Sequence, residues 1–179
     1  MKNTKTVHKA FFAWDYDIEE LYIEDMSKKG WHLSRGGCFS STYEYNPDIR
    51  TVTRIDYNPE ILNDAAEKAR YIQLFEDTGW NYLNTTFNGW SYFQKEYVPG
   101  TPEEEYIIYT DVESLQTMLK KIRTLMHVIR VFCLGAAALM LISTFGSDHP
   151  AYWIYAFLYM AFGFVIHRGI EKLNNKIEN

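Results

Sequence analysis

Two segments near the end of the chain constrain it most. "VFCLGAAALMLISTFG" over 131–146 and "PAYWIYAFLYMAFGFVI" over 150–166 contain no charged residue. A helix needs about 20 apolar residues to cross the hydrocarbon core of a bilayer. The first run reaches that length backwards through Met126, His127, Val128 and Ile129, with Arg130 able to snorkel its charge outward. The second reaches it through His167 and Gly169, with Arg168 doing the same. The joint, "GSDHP" (146–150), is short and polar, with Gly and Pro to stop and restart a helix. The pattern predicts a transmembrane helical hairpin. Lys120, Lys121, Arg123 and Arg130 precede the first span, and Arg168, Lys172 and Lys176 follow the second. The joint has Asp148 and no Lys or Arg. The positive-inside rule then puts both termini in the cytoplasm and the loop outside, with Tyr152, Trp153 and Tyr155 in an interfacial belt. The alternative, a hairpin buried inside a soluble domain, leaves that charge asymmetry a coincidence.

Charge divides the chain the same way. Residues 1–119 carry 11 Lys and Arg against 20 Asp and Glu, a balance of −9. Residues 120–179 carry 7 against 3, a balance of +4. An acidic front half argues against nucleic acid, which is bound by neutralising phosphates. A basic tail around apolar segments argues for a lipid bilayer as partner. The opening "MKNTKTVHKAFFAWD" lacks a long apolar run and a small-residue cleavage site, so no signal peptide is expected and the front half reads as cytoplasmic.

That front half repeats itself. "EDMSKKGWHL" and "QLFEDTGWNYL" each read as a helix that ends at Gly and hands over to Trp and a strand. In the first copy Asp17 and Glu20 suit a capping box, and Ile18, Leu21, Tyr22 and Met26 fall on one helical face. Gly30 supplies the left-handed residue that closes the helix, and Trp31 can fold back on it. In the second copy Asn58-Pro59 opens the helix, Ala65, Ala69, Ile72 and Phe75 or Glu76 follow, and Gly79-Trp80 ends it. Strand-like runs surround these helices: "TVHKAFFAW"; then "CFSSTYEYN" and "RTVTRIDYN", joined as a hairpin at Pro-Asp; then "WNYLNTTF" and "WSYFQKEYV", joined at Asn88-Gly89. The order predicts an α+β, ferredoxin-like βαββαβ domain with an extra hairpin strand over 1–98. A linker (99–111), an amphipathic connector helix (112–130), two spans (131–166) and a C-terminal helix (167–179) complete the division. One sheet face should lie under the helices. The other would carry Tyr43 or Glu44, Arg54 and Tyr92, an aromatic face that needs a lid, a partner or a ligand. With Trp14, Trp31, Trp80 and Trp90 these are the candidate partner, ligand or fold-corner residues.

Asp111 is placed to cap the connector helix, where Val112, Leu115, Leu119, Ile122, Met126 and Ile129 form a heptad-like seam. The seam suits a homodimer. It equally suits antiparallel packing against Ile166, Ile170, Leu173 and Ile177 of the same chain, which needs no second copy and is favoured here.

No catalytic constellation emerges. His8, His32, His127, His149 and His167 have no partner at metal-ligand spacing, so no metal is expected. Cys38 and Cys133 read as inert thiols. The pairs Asp15/Asp17, Glu19/Glu20, Glu24/Asp25 and Glu76/Asp77 read as solvated helix faces. There is no phosphate loop and no nucleophile elbow, and "SRGG" (34–37) reads as a turn. The strands lack the basic-Gly-aromatic signature of an RNA-recognition sheet. Neither enzymatic activity nor a cofactor is expected.

The residues "FFAWDYDIEE", "EDMSKKGWHL", "YEY", "TVTRIDYN", "FEDTGWNYL" and "GWSYFQKE" resemble the bacterial domain-of-unknown-function 2812 family over roughly 9–98. The resemblance implies a membrane-linked regulatory protein acting beside a PadR-like transcriptional regulator, with no catalytic residues to carry over. The expectation is a membrane-anchored cytoplasmic domain that senses a signal or docks a partner, either that regulator or another membrane protein. The alternatives are a sensor of a hydrophobic or cationic small molecule and an accessory subunit of an exporter.

Overall fold

Strands and helices alternate twice along the chain in the computed structural model, which describes residues 3–109, 111–146, 149 and 151–178. The chain forms two compact units, 1–118 and 119–179.

The first unit repeats one arrangement of elements twice. One copy runs β1 (Thr4–Val7), α1 (Tyr16–Lys28), β2 (Trp31–Arg35) and β3 (Ser41–Tyr45). The other runs β4 (Thr51–Tyr57), α2 (Ala65–Glu76), β5 (Asn81–Thr85) and β6 (Trp90–Glu96). Each copy builds one antiparallel three-stranded sheet with the same order, β1-β3-β2 and β4-β6-β5. The match extends to an irregularity: the β2–β3 ladder slips between Leu33 and Arg35, and the β5–β6 ladder between Tyr82 and Asn84. The two Gly-Trp corners are the matching helix-to-strand junctions. Gly30 and Gly79 both adopt positive φ, 79° and 84°, and the closing turns follow with Gly30 N–H donating to Ser27 O and Trp80 N–H to Phe75 O.

This corrects the expected topology. In place of one ferredoxin-like sheet there are two three-stranded sheets. The Gly30-Trp31 corner starts β2 at once, so the first hairpin is β2–β3. β3 and β4, expected to pair across Pro47-Asp48, belong to different sheets, and that turn joins the two copies. The Asn88-Gly89 hairpin forms as expected, with Gly89 at φ 97°.

The helix starts also differ. The N-cap of α1 is Asp15, without a side-chain cap bond, and Asp17 lies inside the helix, so the expected Asp17–Glu20 capping box is not built and Glu20 turns elsewhere. It accepts instead from the Ile55 N–H on the open edge of β4 (2.8 Å). Ser27 Oγ accepts from Thr51 N–H on the same edge (2.7 Å). Helix α1 therefore covers a strand edge that would otherwise template aggregation. Pro59 opens a 3-10 turn (Pro59–Leu62), and Asp64 caps α2 by accepting from Ala66 and Glu67 N–H. Of the apolar stripe expected on α1, Met26 is buried, while Ile18 and Leu21 face solvent.

Two cores result. Ile23, Met26, Leu33, Tyr43, Ile55 and Tyr92 join α1 to both sheets. Val52, Phe75, Trp80, Phe93 and Tyr106 close the opposite face of the second sheet under α2. The expected uncovered aromatic face does not exist: Tyr43 and Tyr92 are core residues. The linker is no free tether either, because Tyr106 completes the second core.

The second unit is a pair of helices. Helix α3 (Val112–Thr144) merges the expected connector and first span, and α4 (Ala151–Glu178) merges the second span and the C-terminal helix. Asp111 caps α3 by accepting from Ser114 N–H (2.7 Å). The helices pack antiparallel: Arg123 donates to Asn174, Arg130 to His167, and Gly163 faces Cys133. Leu119, Ile122 and Met126 are buried on α3, and Ile166, Ile170 and Leu173 on α4. Both helices are long and apolar enough to cross a membrane, and only 17% and 28% of their most apolar windows are buried. Of the loop expected over 146–150, Ser147, Asp148 and Pro150 lie outside the described residues.

Candidate functional site

The tips of both hairpins and the start of α1 converge on a cleft of about 120 Å³. Phe11, Phe12 and Ala13 approach it from the segment before α1. Tyr16 and Glu19, one helical turn apart, come from α1 itself; Cys38 and Asn88 come from the two hairpin loops, and Trp90 and Tyr92 from β6. The loops are tied together by Asn84, whose side chain accepts from Gly36 N–H (2.8 Å) and donates to Gly36 O (3.0 Å). Gly36 is obligatory here, since a Cβ would stand 2.5 Å from the Tyr92 ring. The "SRGG" turn thus serves close packing.

Tyr92 OH donates to Glu19 Oε1 (2.9 Å). Burial raises the Glu19 carboxyl to about 7, against the lowering effect of that hydrogen bond. Burial also pushes the Cys38 thiol up, although Thr86 and Asn88 offset part of the effect. Cys38 donates to Asn88 Oδ1 (3.3 Å) and is held as a thiol, unsuited to nucleophilic attack. The cleft can bind and can exchange one proton.

A polar chain runs from the same helix to the linker. Arg54 on β4 donates to Glu24 Oε1 (2.7 Å) and lies 3.8 Å from Glu20. On its other side it donates to Tyr106 O (2.8 Å). Burial lifts Glu20 to about 7, with Arg54 and the Ile55 N–H opposing. One strand position on, Asp56 accepts from Tyr71 of α2 (2.5 Å) and from Tyr109 of the linker. Both phenols are pushed well up, first by burial and then by Asp56.

The seven residues singled out from sequence are dispersed. Trp90 and Tyr92 line the cleft, and Tyr43 lies in the core that Tyr92 shares. Arg54 holds the linker. Trp14 is buried and stacked on Phe12, centroids 4.6 Å apart. Trp31 is half-buried between Tyr45 (5.1 Å) and Lys5 Nζ (3.9 Å). Trp80 is in the second core and borders a wide, open groove with Leu74, Lys95 and Ile107. The sequence reading missed Glu19, Glu20 and Asp56. Not all carboxylates of α1 form a solvated face: the Glu20 and Glu24 side chains are 15% and 19% exposed, whereas Asp25 is at 59%. The available signal was spacing, since Tyr16, Glu19/Glu20, Ile23 and Met26/Ser27 also recur by three and four. His32, read from sequence as lacking a metal-ligand partner, is buried and bonded to Thr51 Oγ1 (3.0 Å) and Asn46 O (2.7 Å). Among the described residues no cluster of His, Cys, Asp and Glu is placed to hold a metal ion.

The profile of the family described as "Protein of unknown function (DUF2812)" matches residues 15–131, well over half of the chain. The chain belongs to the DUF2812 family. The match takes in α1, both Gly-Trp corners, the docked linker and the first part of α3. No curated protein and no solved structure matches the chain.

Proposed function

We propose that this DUF2812 protein is a membrane-anchored, non-enzymatic sensing domain whose α3–α4 hairpin crosses the membrane with both termini in the cytoplasm. The observation that carries the reading is the packed linker. Glu19 of the cleft and Glu20 and Glu24 share one helix; the last two hold Arg54, and Arg54 holds Tyr106 just ahead of α3. A change at the cleft therefore has a contiguous polar route to the segment that enters the anchor. The flanking charges and the outward-facing apolar residues of α3 and α4 support the anchor. The partner on the cytoplasmic side is a PadR-like regulator, as the family resemblance implies, sequestered or released by the domain.

The test has two parts. Reporter fusions should report both termini as cytoplasmic, and the chain should leave membranes only with detergent. A PadR-like regulator should co-purify with the full chain from membranes and be lost when residues 1–98 are removed. Equal recovery without that domain sinks the docking role.

A further inference from the structure

We propose that the cleft beside Trp90 binds the head group of a small organic cation, an alkylated ammonium, with Glu19 as its counter-ion. This rests on the sensing reading and names the ligand class for that site. Five rings line the cleft: Phe11, Phe12, Tyr16, Trp90 and Tyr92. Aromatic faces carry negative charge density and attract cations, most strongly where water is excluded. Phe11 already receives one, since Lys9 Nζ lies 4.8 Å from its centroid and 3.9 Å from that of Tyr22. Glu19 supplies the matching charge at the wall. Its Oε1 accepts one hydrogen bond from Tyr92, which leaves most of the carboxylate's roughly four lone-pair positions for a ligand. Among the described residues no Lys or Arg lines the cleft, so none of them offers an anion an opposite charge there. The volume, about 120 Å³, is below the ~300–1,000 Å³ of drug-sized pockets and suits a head group with its tail outside.

Binding is linked to protons. The titratable groups facing Glu19 are Tyr16 on its own helix, Tyr43 on β3, Tyr92 on β6 and Cys38 in the β2–β3 loop. All four are pushed upward by burial and stay neutral near pH 7. Glu19 alone among them changes charge there, and a bound cation favours its carboxylate.

The full chain in detergent, titrated by calorimetry with choline and with its uncharged isostere 3,3-dimethylbutan-1-ol, tests the proposal. At pH 8 choline should bind saturably and at least about tenfold more tightly than the isostere. Lowering the pH to 6 should weaken choline about tenfold, with proton release on binding. Glu19→Gln should lose about tenfold and the pH dependence together. Should that variant fail to fold, choline binding should still change the near-ultraviolet dichroism of the aromatic wall in the native chain. Equal affinity for both probes, no saturable binding at pH 8, or an unaltered aromatic spectrum overturns the proposal. If choline binds while proteolysis of 99–111 is unchanged, the cation site stands and the relay through the linker falls.

Discussion

Glu20 owes its chemistry to a neighbour 35 residues along the chain: the open edge of β4. Its carboxylate satisfies Ile55 N–H, yet burial outweighs that bond and Arg54 and raises it to about 7. A carboxyl whose folded value exceeds its unfolded value of about 4.3 binds protons more tightly when folded. Its contribution to stability is fully present below about pH 4 and is lost as pH rises through 7. The first unit should therefore be less stable at pH 8 than at pH 5.5, with Glu20 contributing on the order of 2 kcal/mol of the loss and Glu19, raised to about 7 by burial as well, a comparable share. Glu20→Gln keeps an acceptor for Ile55 N–H and should remove about half of that slope in near-ultraviolet dichroism melts. A slope as steep as the wild type's would assign it to other groups. The tryptophans separate by the same criterion. Trp80 is 3% exposed in the second core, so Trp80→Ala should cost about 3–5 kcal/mol. Half-buried Trp31 should cost clearly less, and urea unfolding of the two variants measures the difference.

At the scale of elements, the Gly-Trp corners explain how much of this fold could be read in advance. Helix, left-handed glycine and following strand are local chemistry, and all were legible. Partner choice between strands was not, because the alternation in "STYEY" and "TVTRIDY" suits either sheet and nothing local forbids a β3–β4 hairpin. The cleft was hidden for a related reason: its walls come from stretches far apart in the chain, 11–19, 38 and 88–92, and Glu19 sits on a helix whose charges read as solvated. The two corners also differ in a testable way. A Cβ at Gly30 would meet Tyr45 Cε2 at 2.9 Å and the Pro47 backbone at 3.3 Å; at Gly79 it meets only the flexible end of Lys95. Both pay the left-handed penalty of about 1 kcal/mol. Gly30→Ala should thus lower the melting temperature further than Gly79→Ala. The linker offers a second test. Tyr109→Phe removes one of the two phenols on Asp56, and should speed proteolysis within 99–111 while leaving the two cores folded.

For the whole molecule the informative contrast is between two kinds of burial. In the first unit apolar residues turn inward and the charged ones that follow them are held by partners such as Ile55 N–H and Arg54. Over 132–164 of the α3–α4 pair the order is reversed: Phe132, Leu139, Phe157 and Phe164 face outward, while the small residues Cys133, Ala137, Ala156 and Gly163 are buried. Water would oppose that arrangement, and lipid would not, since apolar side chains gain little there by turning inward. Helix length agrees, because 33 residues of α3 span about 50 Å against a hydrocarbon core of about 30 Å. On the proposed anchoring, the charged first half of α3 is the part left outside the bilayer; in it Arg123 and Arg130 reach Asn174 and His167 of α4. Close approach through small residues should dominate the energetics of the pair. A Cβ at Gly163 would rest 3.7 Å from Cys133 Cβ and 3.8 Å from Leu134, ordinary contact, so Gly163→Ala should leave the melting temperature in detergent nearly unchanged. Gly163→Leu has no such room and should separate the helices, lowering that temperature by several degrees. Equal behaviour of the two variants would mean that the helices are held instead by the buried residues from Leu119 to Met126 and by Arg123 and Arg130.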